Sequence, residues 1–177
     1  MDYINTFTGE TFKPLEPEQS KIHIEDIAHA LSLQCRANGH IVHFFSIAQH
    51  SINCANEAKA RGLSLRTQRA CLLHDASEAY LSDVIRPVKR HLSNYGEIEK
   101  RVQDEIFTKF LGRLPTSDEL THIDKIDDDM LICEFIALMG RKIYDRCPMT
   151  VSDPSFDLVD FAAAENEFIE IFNSTAE

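Results

Sequence analysis

The sequence predicts an all-α fold, a single helical bundle over residues 1–177 with a small N-terminal hairpin or extended flap. Three observations carry this. Six glycines and six prolines leave long uninterrupted segments. Most of those segments repeat their apolar residues with helical period. Strand-like alternation is confined to the opening INTFTGETF. Apolar residues make up 44% and charged residues 27% of the chain, a balance that supports one buried core rather than disorder.

β-favouring residues alternate on either side of Thr8 and Gly9, the pattern of a short hairpin or flap. Pro14 and Pro17 then punctuate a linker. Ile24, Ile27, Ala28, Leu31 and Cys35 trace one stripe of a helix over 24–38, stopped by Asn38 and Gly39. A second helix runs over 41–61, with Phe44, Ile47, Ala48, Ser51 and Ala55 on its apolar side and Gly62 as its stop. A third, over 65–80, carries the apolar run 70–73 and ends in polar residues. Pro87 marks a short connection, and helices follow at 95–111, 117–141 and 156–173. With no internal repeat or low-complexity tract, the elements form one domain.

Eighteen Lys and Arg against 29 Asp and Glu leave a formal charge of −11. That excludes a fold-wide basic surface for duplex nucleic acid, and an anionic substrate would need local cations or a metal to reverse the field. No stretch approaches the roughly 18 apolar residues of a membrane span, so no membrane partner is expected. The N-terminus lacks a basic region followed by an apolar one, so a cytoplasmic, intracellular location is expected. Five cysteines without a C-x-x-C pair read as reduced, mostly buried thiols.

The strongest local chemistry is His74 and Asp75 followed by Glu78. Adjacent His and Asp on a helix reach one cation from one side, and Glu78, at i+4, shares the face of His74. Two ligands beside an acid that need not ligate suit metal-assisted hydrolysis. Taken alone, the same residues also fit a satisfied polar cluster at a helix end. In the second helix His43 and His50 share a face, and His50 sits inside the otherwise apolar FFSIAQHSINCA, where it must hydrogen-bond or ligate. The run from His122 through Asp124, Asp127, Asp128 and Asp129 leads into an apolar helix. Asp127 shares a stripe with Leu131 and Glu134 and faces inward, where a metal is a natural partner, while Asp128 and Asp129 read as solvated.

His50, then His74 with Asp75, then Asp127 form a pattern that resembles the HD-domain metal-dependent phosphohydrolases, helical bundles with His, His-Asp and Asp as ligands. The blocks DIAHALSLQCRANGHIVHFFSIAQHS, LLHDASEAYLSDVIRPVKRHL and KIDDDMLICE are similar to the short phage and prophage branch, over nearly the whole chain. The resemblance implies an HD-domain bundle with His50, His74, Asp75 and Asp127 as metal ligands. Asp127 is preferred to Asp124 because the branch places a Leu four and a Glu seven residues after the ligand, as Leu131 and Glu134 stand here. It further implies Glu78 as the proton-transfer residue, Asp83 as the group orienting water or the leaving oxygen, and Arg36 and Lys89 as phosphate holders, with Arg86 and Arg90 as weaker candidates. Relatives commonly follow this arginine with an aromatic residue near the base or sugar. This chain has Ala37, so its base pocket is reshaped or lined by residues such as Ile22, Phe44 or Phe45.

The expected function is hydrolysis of a small deoxynucleotide at its 5′-phosphate, favoured as a dNTP, dATP first, released as deoxynucleoside and triphosphate. A 5′-deoxynucleotidase acting on dNMPs is the alternative enzyme, and a catalytically silent nucleotide-binding module or a plain helical scaffold the alternatives of another class. Mixed His and carboxylate ligation admits Zn, Co, Mn, Fe or Ni, with Mg arriving on substrate phosphates. Triphosphate use would recruit Lys89, Arg86, Arg90 and Lys125. Relatives are oligomers, and Phe156, Phe161 and Phe168 are candidates for a homo-oligomer face.

Overall fold

A computed structural model describes residues 2–142 and 145–176. Among these the chain is all-α, with eight helices and a sheet of two two-residue strands. The opening hairpin forms where the sequence places it: β1 (Ile4–Asn5) pairs antiparallel with β2 (Thr11–Phe12), and Gly9 supplies the positive φ of the turn. It is docked rather than loose. Asp26 accepts from the Thr8 amide (2.7 Å) and hydroxyl (2.9 Å), Phe7 stacks on His29, and the fully buried Phe12 meets Tyr80.

α1 (Ile24–Leu33) and α2 (Ile47–Ala60) are shorter than their periodicity predicts. The residues between them make backbone pairs instead. Arg36 N–H donates to Phe45 O (2.9 Å) and Ile47 N–H to Gln34 O (3.0 Å), which closes a bridge between Cys35 and Ser46. Ser46 then starts α2 with a reciprocal capping box to Gln49. α2 is the central helix: α1, α3 (Leu65–Leu72), α7 (Ser117–Met139) and α8 (Phe161–Ser174) all pack on it. Its polar residues Gln49, Asn53 and Glu57, at i, i+4 and i+8, are buried. They bind the backbone of the 151–157 strap, through Asp157 O (3.0 Å), Ser155 O (2.8 Å) and the Val151 and Ser152 amides. That strap occupies the start of the predicted 156–173 helix, so α8 begins only at Phe161.

α4 (Glu78–Leu81), α5 (Arg86–Lys89) and α6 (Tyr95–Leu111) complete the order. Phe168 is fully buried and Phe156 packs against the core, so of the three candidates for a self-association face only Phe161 is exposed. Two of the five cysteines, Cys54 and Cys71, are fully buried; all five are free thiols. No helix among the described residues is long and apolar enough to cross a membrane.

Candidate metal centre

The predicted 65–80 helix stops at Leu72 because a side chain from α6 breaks its ladder. Gln103 Nε2 donates to Leu73 O (2.7 Å) and Gln103 Oε1 accepts from Ser77 N–H (3.0 Å), occupying the two groups that an unbroken helix would join to each other. His74 and Asp75 lie in the resulting turn, and α4 restarts at Glu78. Gln103→Leu is expected to leave both buried groups unpartnered, lowering stability by about 1–3 kcal/mol and weakening divalent-metal affinity. Denaturant unfolding and chelator competition measure the two effects.

Four donor atoms from three parts of the fold converge here. His50 Nε2 lies 3.2 Å from His74 Nε2, 3.2 Å from Asp127 Oδ1 and 3.7 Å from Asp75 Oδ2. His74 Nε2 lies 3.4 Å from Asp75 Oδ2 and 3.8 Å from Asp127 Oδ1. Nitrogen and oxygen donors bound tetrahedrally at about 2.0–2.2 Å stand about 3.3–3.6 Å apart, so this spacing fits one transition-metal ion. Cys54, one turn after His50, adds a buried sulfur 3.6 Å from His50 Nε2. His50, Cys54 and His74 together can hold a metal ion, their donor atoms all lying within 4.8 Å of one another.

Each histidine has its far nitrogen held, which leaves Nε2 for the centre. His74 Nδ1 donates to Cys71 O (2.7 Å), and His50 Nδ1 meets Glu134 Oε1 at 2.5 Å. Arg36 grips the other Glu134 oxygen through Nε (3.3 Å) and Nη2 (3.1 Å) and reaches Asp75 Oδ2 with Nη1 (3.5 Å). One partly buried arginine therefore braces the partner of His50 and one of the carboxylates. Burial works against every charge in this cluster, but the charges win. Arg36 and His50 hold the Glu134 carboxyl below its usual range, and the two histidines hold Asp127 well below its own. Asp75 and Asp127 push His74 up to about 10. Glu134→Gln is expected to weaken metal binding about 10- to 100-fold, measured against a competing chelator.

The cluster opens into a cavity of about 820 Å³. Glu78, Asp83, Ala37, Lys89, Arg86 and Arg90 line it, with Asp75 and Asp127 at one side. Ile41, Leu131, Phe135, Leu138 and Met139 supply its apolar lining. Burial, followed by the neighbouring charges of Asp75 and Asp83, pushes Glu78 up to about 9. Its Oε2 is buried and has no hydrogen-bond partner. Asp83 is likewise raised, chiefly by burial, and follows Ser82, whose φ of 72° turns the chain after α4. Ala37 and Asn38 both have φ of 51°, a left-handed conformation that disfavours residues with a side chain by about 1–2 kcal/mol each, beside the braced Arg36.

Several expectations change on contact with the structure. His43 precedes α2 and bonds to Phe156 O (2.9 Å), away from the cluster. Asp124, passed over for Asp127 as a ligand, lines a smaller cavity together with His74. Asp129 is not solvated: it is fully buried and accepts from Arg61 (3.2 Å) and Arg146 (2.8 Å). Ile22 and Phe45 are core residues, and none of Ile22, Phe44, Phe45 and Lys125 is among the residues lining the large cavity. Lys89 reaches it but is paired with Glu99. Glu134, Gln103 and Arg146 went unassigned in the sequence. The i+4 spacing of Cys54 from His50 was a usable signal, whereas the Gln103 and Arg146 contacts depend on helices packed far apart in sequence.

No family model matches the chain. Over 110 residues it is 36% identical to the uncharacterized protein YfdR of Escherichia coli (strain K12), covering 62% of this chain and 59% of that protein. Over 109 residues it is 37% identical to an uncharacterized protein of Rhodobacter capsulatus, covering 58% of this chain and 55% of the relative. The matches span less than two thirds of the length of either relative.

Proposed function

We propose that this chain is a divalent-metal-dependent phosphohydrolase of the HD type, acting at the 5′-phosphate of a deoxynucleotide. The favoured substrate is a dNTP, dATP first, released as deoxynucleoside and triphosphate. The observation that carries the reading is the meeting of His50, His74, Asp75 and Asp127 at coordination spacing beside Glu78, whose buried Oε2 has no hydrogen-bond partner. A satisfied structural cluster would have no reason to bury Glu78 Oε2 without a partner. The resemblance of the three sequence blocks supports the choice of dATP.

His50, His74, Asp75 and Asp127 would hold the ion, which when bound supplies Lewis acidity toward water and a phosphoryl oxygen. Glu78 sits one side chain away to move a proton at its free oxygen, with Asp83 to orient the group it exchanges with. Arg36 braces the ligands and offsets their charge. Lys89, Arg86 and Arg90 counter developing negative charge on phosphate. Leu131, Phe135, Leu138 and Met139, with Ala37, offer an apolar seat for the base or sugar. Six carboxyls and five cations line the cavity. With Glu78 protonated the two signs match, and a divalent ion turns the local field positive in an otherwise acidic protein.

The test is product analysis. Metal-loaded protein is incubated with each dNTP and dNMP, and nucleoside, phosphate and triphosphate are separated by ion exchange. Deoxyadenosine with triphosphate from dATP is the expected result. Phosphate from dNMPs with dNTPs inert would make the protein a 5′-deoxynucleotidase. No turnover with any metal would leave a silent binding module.

A further inference from the structure

We propose that Arg86 and Arg146, joined across Asp128, form a subsite for the distal phosphates of a polyphosphate chain. The inference rests on the phosphohydrolase reading above, and deepens it by naming what the site selects. The two guanidiniums come from separate parts of the fold, α5 and the segment after α7, and both line the large cavity. Arg86 Nη2 donates to Asp127 Oδ2 (3.0 Å) and its Nη1 lies 3.5 Å from Asp128 Oδ1. Arg146 Nη2 lies 3.7 Å from the other oxygen of Asp128. Asp127 turns its Oδ1 to the two histidines. The contacts therefore link donor cluster, Arg86, Asp128 and Arg146 in that order. A phosphate held at the cluster meets Arg86, and only a longer chain reaches Arg146.

Arg146 is not a loose surface charge, although its side chain is half exposed. Its Nη1 donates to the buried carboxylate of Asp129 (2.8 Å), which also accepts from Arg61 of α2's C-terminal end (3.2 Å). Arg61 also donates to Met149 O (2.8 Å), and the buried Glu57 accepts from the amides of Val151 (2.9 Å) and Ser152 (2.8 Å). The backbone on the C-terminal side of Arg146 is thus tied to the helix that carries His50. The remaining face of the guanidinium meets Asp128, an exposed acid that a polyphosphate would displace. Guanidinium forks suit phosphate oxygens, and preorganisation lowers the cost of engaging them.

The probe is inorganic tripolyphosphate, with orthophosphate as its short counterpart, titrated calorimetrically into metal-loaded protein. Arg146→Ala and Arg146→Gln are each expected to weaken tripolyphosphate at least tenfold while changing orthophosphate by less than threefold. Asp128→Asn, which removes the competing acid, is expected to tighten tripolyphosphate severalfold. Circular dichroism and metal content check that each variant is folded and loaded. Equal tripolyphosphate affinity in wild type and both Arg146 variants, or no tripolyphosphate binding by wild type, would overturn the subsite. A protein that shows the tripolyphosphate pattern and hydrolyses no deoxynucleotide would instead keep the subsite and refute the enzymatic reading.

Discussion

Glu78→Gln is expected to lower turnover by a factor of about 10²–10⁴ and, in metal-free protein, to raise the melting temperature at neutral and alkaline pH. The two effects have one cause. Burial and the neighbouring carboxylates push the folded Glu78 up to about 9, from about 4.5 for a free glutamate. A carboxyl raised in this way contributes stability that is whole below the unfolded pKa and is lost as pH climbs through the folded one. Between pH 4.5 and about 9 each pH unit removes up to about 1.4 kcal/mol. Glutamine keeps the shape and carries no such dependence. Melting curves from pH 5 to 9 should therefore fall less steeply for the variant, which should melt several degrees higher at pH 8. His50 and His74, also raised, contribute the same slope to both proteins. Parallel curves would show that Glu78 is ionised in the folded state, and would remove it as the group that holds the proton.

Asp127→Asn is the second large effect. A divalent ion at about a thousandfold its Kd stabilises a protein that holds it only when folded by about 4 kcal/mol, or about 8–16 °C at this chain length. Wild type is expected to show that shift with zinc or manganese and to retain one ion per chain after desalting. Asp127→Asn is expected to lose both the shift and the ion, because the variant removes the charge that meets His50 and His74 from the third side. Asp124→Asn, altered three residues earlier on an exposed face, is expected to keep both. A shift that survives in Asp127→Asn and vanishes in Asp124→Asn would move the fourth ligand to Asp124.

The comparison of these two aspartates shows how much of the site is legible in one dimension. The stripe through Leu131 and Glu134 turns Asp127 inward but passes through Asp124 as well, so the choice between them came from the resemblance; the structure places Asp127 against both histidines. His50 was legible because a histidine in an apolar helix needs a partner. The break at Leu72 was not, because it depends on Gln103, 30 residues further along a different helix. Asp129 misled for a related reason: a run of acids looks solvated until Arg61 and Arg146 are brought to it from both sides. The helices at 95–111 and 117–139 matched their periodicity closely, since a capping box at Thr116 and left-handed glycines at 112 and 140 mark their ends locally. The starts of α2 and α8 slipped inward because contacts invisible to periodicity claimed the residues before them: backbone pairing with 34–36 before α2, and the buried side chains of α2 before α8.

Metal binding and deoxynucleotide hydrolysis are proposed for one site, and a single titration measures both. Protein stripped by a chelator is reloaded stepwise with one divalent metal. Bound metal and the rate of deoxynucleoside release from dATP and dAMP are recorded on each sample. Release is expected to rise in proportion to occupancy and to level off at one ion per chain, with Asp127→Asn inert throughout. Release by stripped protein at the loaded rate, or full occupancy without release from either nucleotide, would contradict the proposal.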